Sequence, residues 1–88
     1  MSKSVEIYTT PFCPYCHRAK ALLQGKKIKF REIDLYAKPG KRDEMIARAH
    51  GQRTVPQIFV DDVHVGNCDE IVALDRQGKL DAILGIEP

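Results

Sequence analysis

No apolar run in this chain lasts more than a few residues. A helix needs roughly 20 to cross a bilayer, so a membrane-spanning helix is excluded. Charge of one sign is equally scarce. A formal net charge of +2 over 88 residues is too little to grip a nucleic acid or an anionic lipid surface. Cysteine is too sparse for a structural disulfide framework: there are three, so one is left over. Two of them, Cys13 and Cys16, lie so close in sequence that a bridge would constrain little chain. Linkers, internal repeats and low-complexity stretches are also missing, and the length suits one domain spanning 1–88. Met1-Ser2-Lys3-Ser4 enters a strand without the apolar stretch of a secretory signal. The expected compartment is therefore the reducing cytoplasm, where disulfides are transient and catalytic.

What remains is an ordinary globular composition, 43% apolar and 30% charged, with readable periodicity. Val5 and Ile7 alternate with Glu6 and Tyr8 in a strand that Thr9-Thr10-Pro11 ends. A helix from about Tyr15 to Gln24 puts Cys16, Ala19, Leu22 and Leu23 on one face, with Gly25 as its stop. Ile28 to Leu35 reads as a second strand. Its apolar phase shifts between Ile28/Phe30 and Ile33/Leu35, which suggests a bulge or an early end. Pro39-Gly40 precedes a helix from about Lys41 to His50, with Met45, Ile46 and Ala49 inward and Gly51 as cap. Two strands, Gln57–Val60 and Val63–Val65, flank a two-residue Asp61-Asp62 turn. Asn67 with Glu70 has capping-box spacing and opens a helix to about Gln77, stopped by Gly78. Leu80 to Leu84 forms a last short helix. The order β-α-β-α-β-β-α(-α) predicts an α/β fold, a four-stranded mixed sheet with helices on both faces.

The chemistry concentrates in Cys13-Pro14-Tyr15-Cys16, at a strand-to-helix junction. A thiolate, not a thiol, attacks a disulfide. Cys13 stands where the first helix begins, beside unpaired N–H groups and the positive end of the helix dipole, which favour an anion. Pro14 suits the first helical position because its missing N–H leaves no bond unmade. Cys16, inside the helix on its apolar face, is expected to be less exposed and less acidic. Cys13 is thus the candidate attacking thiol and Cys16 the resolving one. His17, His50 and His64 read as surface or lightly packed residues, His64 alternating outward on the hairpin.

Taken with Val5-Glu6-Ile7-Tyr8-Thr9, Thr54-Val55-Pro56-Gln57-Ile58-Phe59 and Gly66-Asn67-Cys68-Asp69-Glu70, the motif makes the chain resemble a small bacterial dithiol glutaredoxin over nearly its whole length. The resemblance implies a thioredoxin-like fold. Glutathione would be the reducing co-substrate, with no tightly bound cofactor and no metal. It implies two reactions: reduction of protein disulfides by Cys13 and Cys16, and reduction of protein–glutathione mixed disulfides by Cys13 alone. Partners would be disulfide-bearing or glutathionylated proteins, ribonucleotide reductase being one at family level, acted on by a monomer.

The resemblance also assigns a glutathione groove. Val55-Pro56 matches a cis-proline segment that would present the Val55 backbone to glutathione, with Thr54 setting its geometry. Asp69 would pair with the γ-glutamyl ammonium, and the Cys68 and Asp69 N–H groups would take the γ-glutamyl carboxylate. Tyr15 would cover one side of the sulfurs. Two positions depart from the family pattern. Thr10 stands where a lysine is frequent, leaving Arg53, Gln52 or Lys20 to compensate, and Asn67 stands where glycine is common. The rival readings are a redoxin fed directly by thioredoxin reductase and a zinc or [2Fe–2S] carrier. The stiff Pro14 and the awkward Cys16-His17 adjacency weigh against a metal.

Overall fold

A computed structural model describes residues 3–86. The elements are β1 (Val5–Thr9), α1 (Pro14–Gly25), β2 (Arg31–Asp34), α2 (Lys41–Arg48), β3 (Gln57–Val60), β4 (Val63–Gly66), α3 (Cys68–Arg76) and α4 (Leu80–Leu84). The sheet order is β2-β1-β3-β4. β1 pairs parallel with β2 and antiparallel with β3, and β3 pairs antiparallel with β4. This is the mixed four-stranded sheet that the element order implies.

Each face of the sheet has its own core. On one, Val5, Ile7, Ile58 and Val60 meet Ala19 and Leu23 of α1, Ile71 of α3, and Leu80 and Leu84 of α4. On the other, Tyr8, Ile33, Leu35 and Phe59 meet Met45 of α2 and Ala49. Burying side chains such as Leu23 and Ile7 stabilises the fold by about 1.5–3 kcal/mol each. The second face also carries charge. Arg48 reaches Glu6 at 2.9 Å, donates to the Tyr8 hydroxyl at 2.7 Å, and lies 4.2 Å above the centre of the Phe59 ring. The Tyr8 hydroxyl in turn donates to Glu44 at 2.7 Å.

Four local expectations need correcting. β2 is shorter than Ile28–Leu35, and its register against β1 has no bulge. The phase shift has another cause: Ile28 and Phe30 pack on the α1/α3 side, Ile33 and Leu35 on the α2 side. The bulge is in the hairpin instead. Ile58 pairs with Gly66 and Phe59 with His64, so Val65 is the extra residue. Gly25 ends α1 as a helical residue, and Lys27 takes the left-handed turn at φ 59°. α2 stops at Arg48, before His50 (φ 57°) and Gly51 (φ 88°), and the Gly51 N–H closes on Ile46 O at 2.9 Å.

The Asp61-Asp62 turn has positive φ at both residues, 50° and 67°, which is the I′ geometry that suits strand twist. Hydrogen bonds explain why aspartate serves there. Asp61 exchanges two bonds of 2.8 Å with Ser4, one through its backbone N–H and one through its carboxylate. The turn is thereby tied to the start of β1.

Candidate functional site

The C-terminal ends of β1 and β2 and the loops flanking β3 and β4 gather the predicted residues at one end of the sheet. Cys13 is the N-cap of α1, with Pro14 as its first residue. The Cys16 N–H donates to Cys13 Sγ at 3.2 Å, so a helix-terminal donor is aimed at that sulfur. The thiol lies 3.7 Å from the Val55 carbonyl, to which it donates. The bond between Val55 and Pro56 is cis, so strand β3 begins directly beside Cys13.

Cys16 is fully buried against the α1 core. Burial above all, and then its hydrogen bond with Cys13, pushes its thiol up to about 12, against a pull from the Thr10 N–H and the Lys20 charge. Lys20 lies one turn beyond Cys16 and is held by Glu32 at 2.9 Å, which also accepts from Thr9 Oγ1 at 2.6 Å. Burial raises the Glu32 carboxyl, but the Thr9 and Lys20 bonds outweigh it and hold the group below its ordinary range. Thr10 thus contributes its backbone to the dithiol, and of the three substitutes considered for a lysine, Lys20 is the one whose charge acts on Cys16.

A cleft of about 300 Å³ is lined by Tyr15, Thr54, Val55, Pro56, Asn67, Cys68 and Asp69. Six of these are the residues assigned to the groove from the sequence, and Asn67, read there only as a cap, is the addition. Arg53 is exposed and does not line the cleft. Its carbonyl accepts from Arg42 Nη1 at 3.0 Å. Asn67 caps α3: its side chain accepts from the Glu70 N–H at 3.0 Å, and its carbonyl takes the Ile71 N–H at 3.0 Å. That leaves the N–H groups of Cys68 and Asp69 without a partner among the described residues, at a helix N-terminus on the cleft wall. Such a pair of donors suits a carboxylate.

Cys68 is buried, and its thiol is raised first by burial and then by the neighbouring Asp69 charge. It lines the cleft as a small neutral residue. A raised thiol pKa favours the protonated form, and Cys16 becomes thiolate only as pH approaches about 12. Neutral iodoacetamide is therefore expected to alkylate one cysteine of the folded chain, Cys13, and all three after denaturation. Peptide mapping checks this, and full labelling of Cys16 or Cys68 at pH 7 would contradict it.

The sequence reading missed the support of the cis-proline segment. His64 does not simply face outward: it is half-buried, with its ring 5.1 Å from that of Phe59. Its Nε2 meets Gln57 Oε1 at 2.7 Å and its Nδ1 meets His50 Nδ1 at 3.2 Å. Buried Gln57 then donates to the Thr54 carbonyl at 3.0 Å and to Gln52 Oε1 at 3.2 Å. Since Gln57 accepts through Oε1, neutral His64 carries its proton on Nε2 and His50 donates from Nδ1. Burial first, then the His50 charge, lowers the His64 pKa, which keeps it in this neutral role. A buried glutamine directly after the proline is the one sequence signal of this support.

Among the described residues, no group of three or more His, Cys, Asp or Glu gathers as a metal site, and no helix is long and apolar enough to cross a membrane. Comparison with known proteins bears on this arrangement. The Glutaredoxin family model matches residues 5–65. Glutaredoxin 3 of Escherichia coli K12 is 54% identical over 81 residues, covering 92% of this chain and 96% of that protein. The solution structure of a Brucella melitensis glutaredoxin superposes with a TM-score of 0.81 at 54% identity, covering 94% of this chain and 89% of the other. A buckwheat glutaredoxin–glutathione complex superposes with a TM-score of 0.85 at 28% identity, covering 94% and 77%.

Proposed function

This chain belongs to the glutaredoxin family of glutathione-dependent thiol–disulfide oxidoreductases, and from that premise we propose that Cys13 is its attacking sulfur and Cys16 its resolving one. The asymmetry of the two thiols carries the assignment. Cys13 is partly exposed and takes a helix-terminal N–H, whereas Cys16 is sealed in the core and its thiol is held protonated.

On a protein–glutathione mixed disulfide, the Cys13 thiolate attacks the glutathionyl sulfur. The mixed disulfide breaks, the protein sulfur leaves as thiolate and takes up a proton, and Cys13 carries glutathione. A second glutathione thiolate attacks that glutathionyl sulfur, releasing oxidised glutathione and the Cys13 thiolate. On a protein disulfide, the Cys13 thiolate attacks one protein sulfur to form the mixed disulfide; the protein S–S bond breaks, and the other protein sulfur leaves as thiolate and takes up a proton. Cys16 then loses its proton and attacks Cys13 Sγ, freeing the second protein thiol and leaving a Cys13–Cys16 bridge. Two glutathione molecules reduce that bridge, as potentials of roughly −200 to −230 mV for such proteins permit.

Glutathione would lie in the cleft beside Cys13. Its cysteine backbone would pair with Val55, its γ-glutamyl carboxylate would meet the Cys68 and Asp69 N–H groups, and its ammonium would meet the Asp69 side chain. Thr54 and Pro56 shape that wall and Tyr15 closes the other side. The cleft, the two unpartnered N–H groups and the buckwheat relative's complex with glutathione support this reading. The protein would work as a single-domain monomer in the cytoplasm on disulfide-bearing or glutathionylated proteins, ribonucleotide reductase among the candidates.

The test is to trap glutathione on the Cys16→Ser protein and map its contacts by NMR. Contacts are expected at Tyr15, Val55 and Asp69, and Asp69→Asn should raise the glutathione KM about tenfold, the value of one charge-assisted bond. Contacts confined to the β2 side of Cys13 would overturn the groove.

A further inference from the structure

Among the described residues four large apolar side chains are exposed; Phe12 and Tyr15 adjoin the dithiol cysteines in sequence, and Tyr36 meets Phe12. Tyr15 belongs to the cleft. Phe12 and Tyr36, 84% and 74% exposed, do not line it. The sheet order explains why. Tyr36 follows β2, Phe12 and Cys13 follow β1, Val55-Pro56 precedes β3, and Asn67 to Asp69 follow β4. The cleft therefore occupies the β3/β4 flank of Cys13, and the two aromatic rings occupy the β2 flank.

Those rings are built into a surface rather than left loose. They meet edge to face, with centroids 6.2 Å apart and planes at 87°. Asp34 holds the turn that presents Tyr36, accepting from the Tyr36 N–H at 2.8 Å, while its carbonyl takes the Lys38 N–H at 2.9 Å. A pre-ordered aromatic loses little freedom when a partner covers it. The loop carries Lys38, and the first turn of α2 adds Lys41 and Arg42 ahead of Asp43 and Glu44. Lys41 pairs with Glu44, while Lys38, Arg42 and Arg53 are exposed and make no ion pair among the described residues. Arg42 joins this loop to the cis-proline segment through the Arg53 carbonyl.

We propose that Phe12 and Tyr36, rimmed by Lys38 and Arg42, form the docking surface for the protein substrate. Its occupant is an acidic polypeptide segment with an apolar side chain beside the disulfide cysteine. This rests on the oxidoreductase reading and adds to it the substrate class. The two flanks of Cys13 divide the labour: glutathione occupies one, and the polypeptide bearing the disulfide occupies the other. Charge complementarity selects acidic segments, and the aromatic pair supplies the contact area.

The experiment uses three glutathionylated substrates with the full chain. One is a peptide with acidic flanks and a phenylalanine next to its cysteine, one is its twin with basic flanks, and one is glutathionylated 2-mercaptoethanol. Wild type is expected to show its highest kcat/KM on the acidic peptide. Tyr36→Ala should lower that value about five- to tenfold through KM, the cost of losing one aromatic anchor, with the small substrate unchanged. Phe12→Ala should act alike, and Lys38→Glu should narrow the gap between acidic and basic peptides about threefold. Equal losses on all three substrates, or no loss on any, would overturn the docking surface. Failure of wild type on the small mixed disulfide would instead overturn the oxidoreductase reading.

Discussion

Cys13→Ser is expected to lower turnover of both glutathionylated proteins and protein disulfides at least about a thousandfold, as loss of a nucleophile does. A serine hydroxyl does not ionise near neutrality, so the N–H that Cys16 directs at position 13 would have no thiolate to stabilise. Cys16→Ser should separate the two reactions. Glutathionylated substrates need only the Cys13 sulfur and a second glutathione, so their turnover should stay within about threefold of wild type. Protein disulfides should stall as the mixed disulfide with Cys13, because no second sulfur remains to attack it. The substitution suits the pocket, since the Thr10 N–H that faces the Cys16 sulfur can meet a hydroxyl instead. A glutathionylated fluorescent peptide and an insulin-type disulfide, assayed side by side, check both halves. Wild-type turnover by Cys13→Ser would remove the assigned nucleophile, and loss of both reactions in Cys16→Ser would remove the division of labour.

The parts of this molecule legible in its sequence are those set by local pattern. Alternation in β1, the four residues of the dithiol turn and the Asn67–Glu70 spacing each find their expected place, the last as a complete capping box. What escaped depends on partners distant in sequence. Ile28/Phe30 and Ile33/Leu35 looked like one strand losing its phase because a sequence does not show that helices will cover opposite faces of the sheet. Lys27 takes the left-handed turn where Gly25 was expected to do the work, and His50 takes one ahead of the expected Gly51, because closing the helix-end hydrogen bonds outweighs the local steric cost. His64 alternates like a surface residue. Its inward role exists only because Gln57 and His50 come from two other segments. The cleft was legible largely through family resemblance: Thr54, Asn67 and Asp69 carry no spacing signal that would join them.

The next largest effect is expected from Gly66→Ala, at the junction of β4 and α3. Gly66 has φ 136°, outside what an alanine adopts comfortably. Space is short as well. A Cβ there would stand 2.5 Å from Glu70 Cδ and Oε2 and 2.8 Å from Glu70 Cβ. Glu70 is the reciprocal half of the box that starts α3, accepting from the Asn67 N–H at 3.4 Å while its own N–H meets the Asn67 side chain. Alanine must therefore strain the backbone and also push Glu70 out of the cap. Strain of about 1–3 kcal/mol and a lost cap of about 1 kcal/mol put the destabilisation at about 2–4 kcal/mol. In a domain of this size that lowers Tm by at least about 8 °C. The start of α3 also carries Asn67, Cys68 and Asp69 into the cleft, so glutathione KM should rise together with the loss of stability. Glu70→Ala in the same chain removes the two 2.5 Å contacts but leaves the Cβ at 2.8 Å and the unfavourable φ. The double variant should thus recover part of the stability, with a favourable coupling of about 0.5–1 kcal/mol in a double-mutant cycle. Calorimetry and glutathione titration of the four proteins measure this. A Gly66→Ala chain that melts within about 2 °C of wild type, beyond any reading of the shift expected here, would show that the β4–α3 junction yields freely.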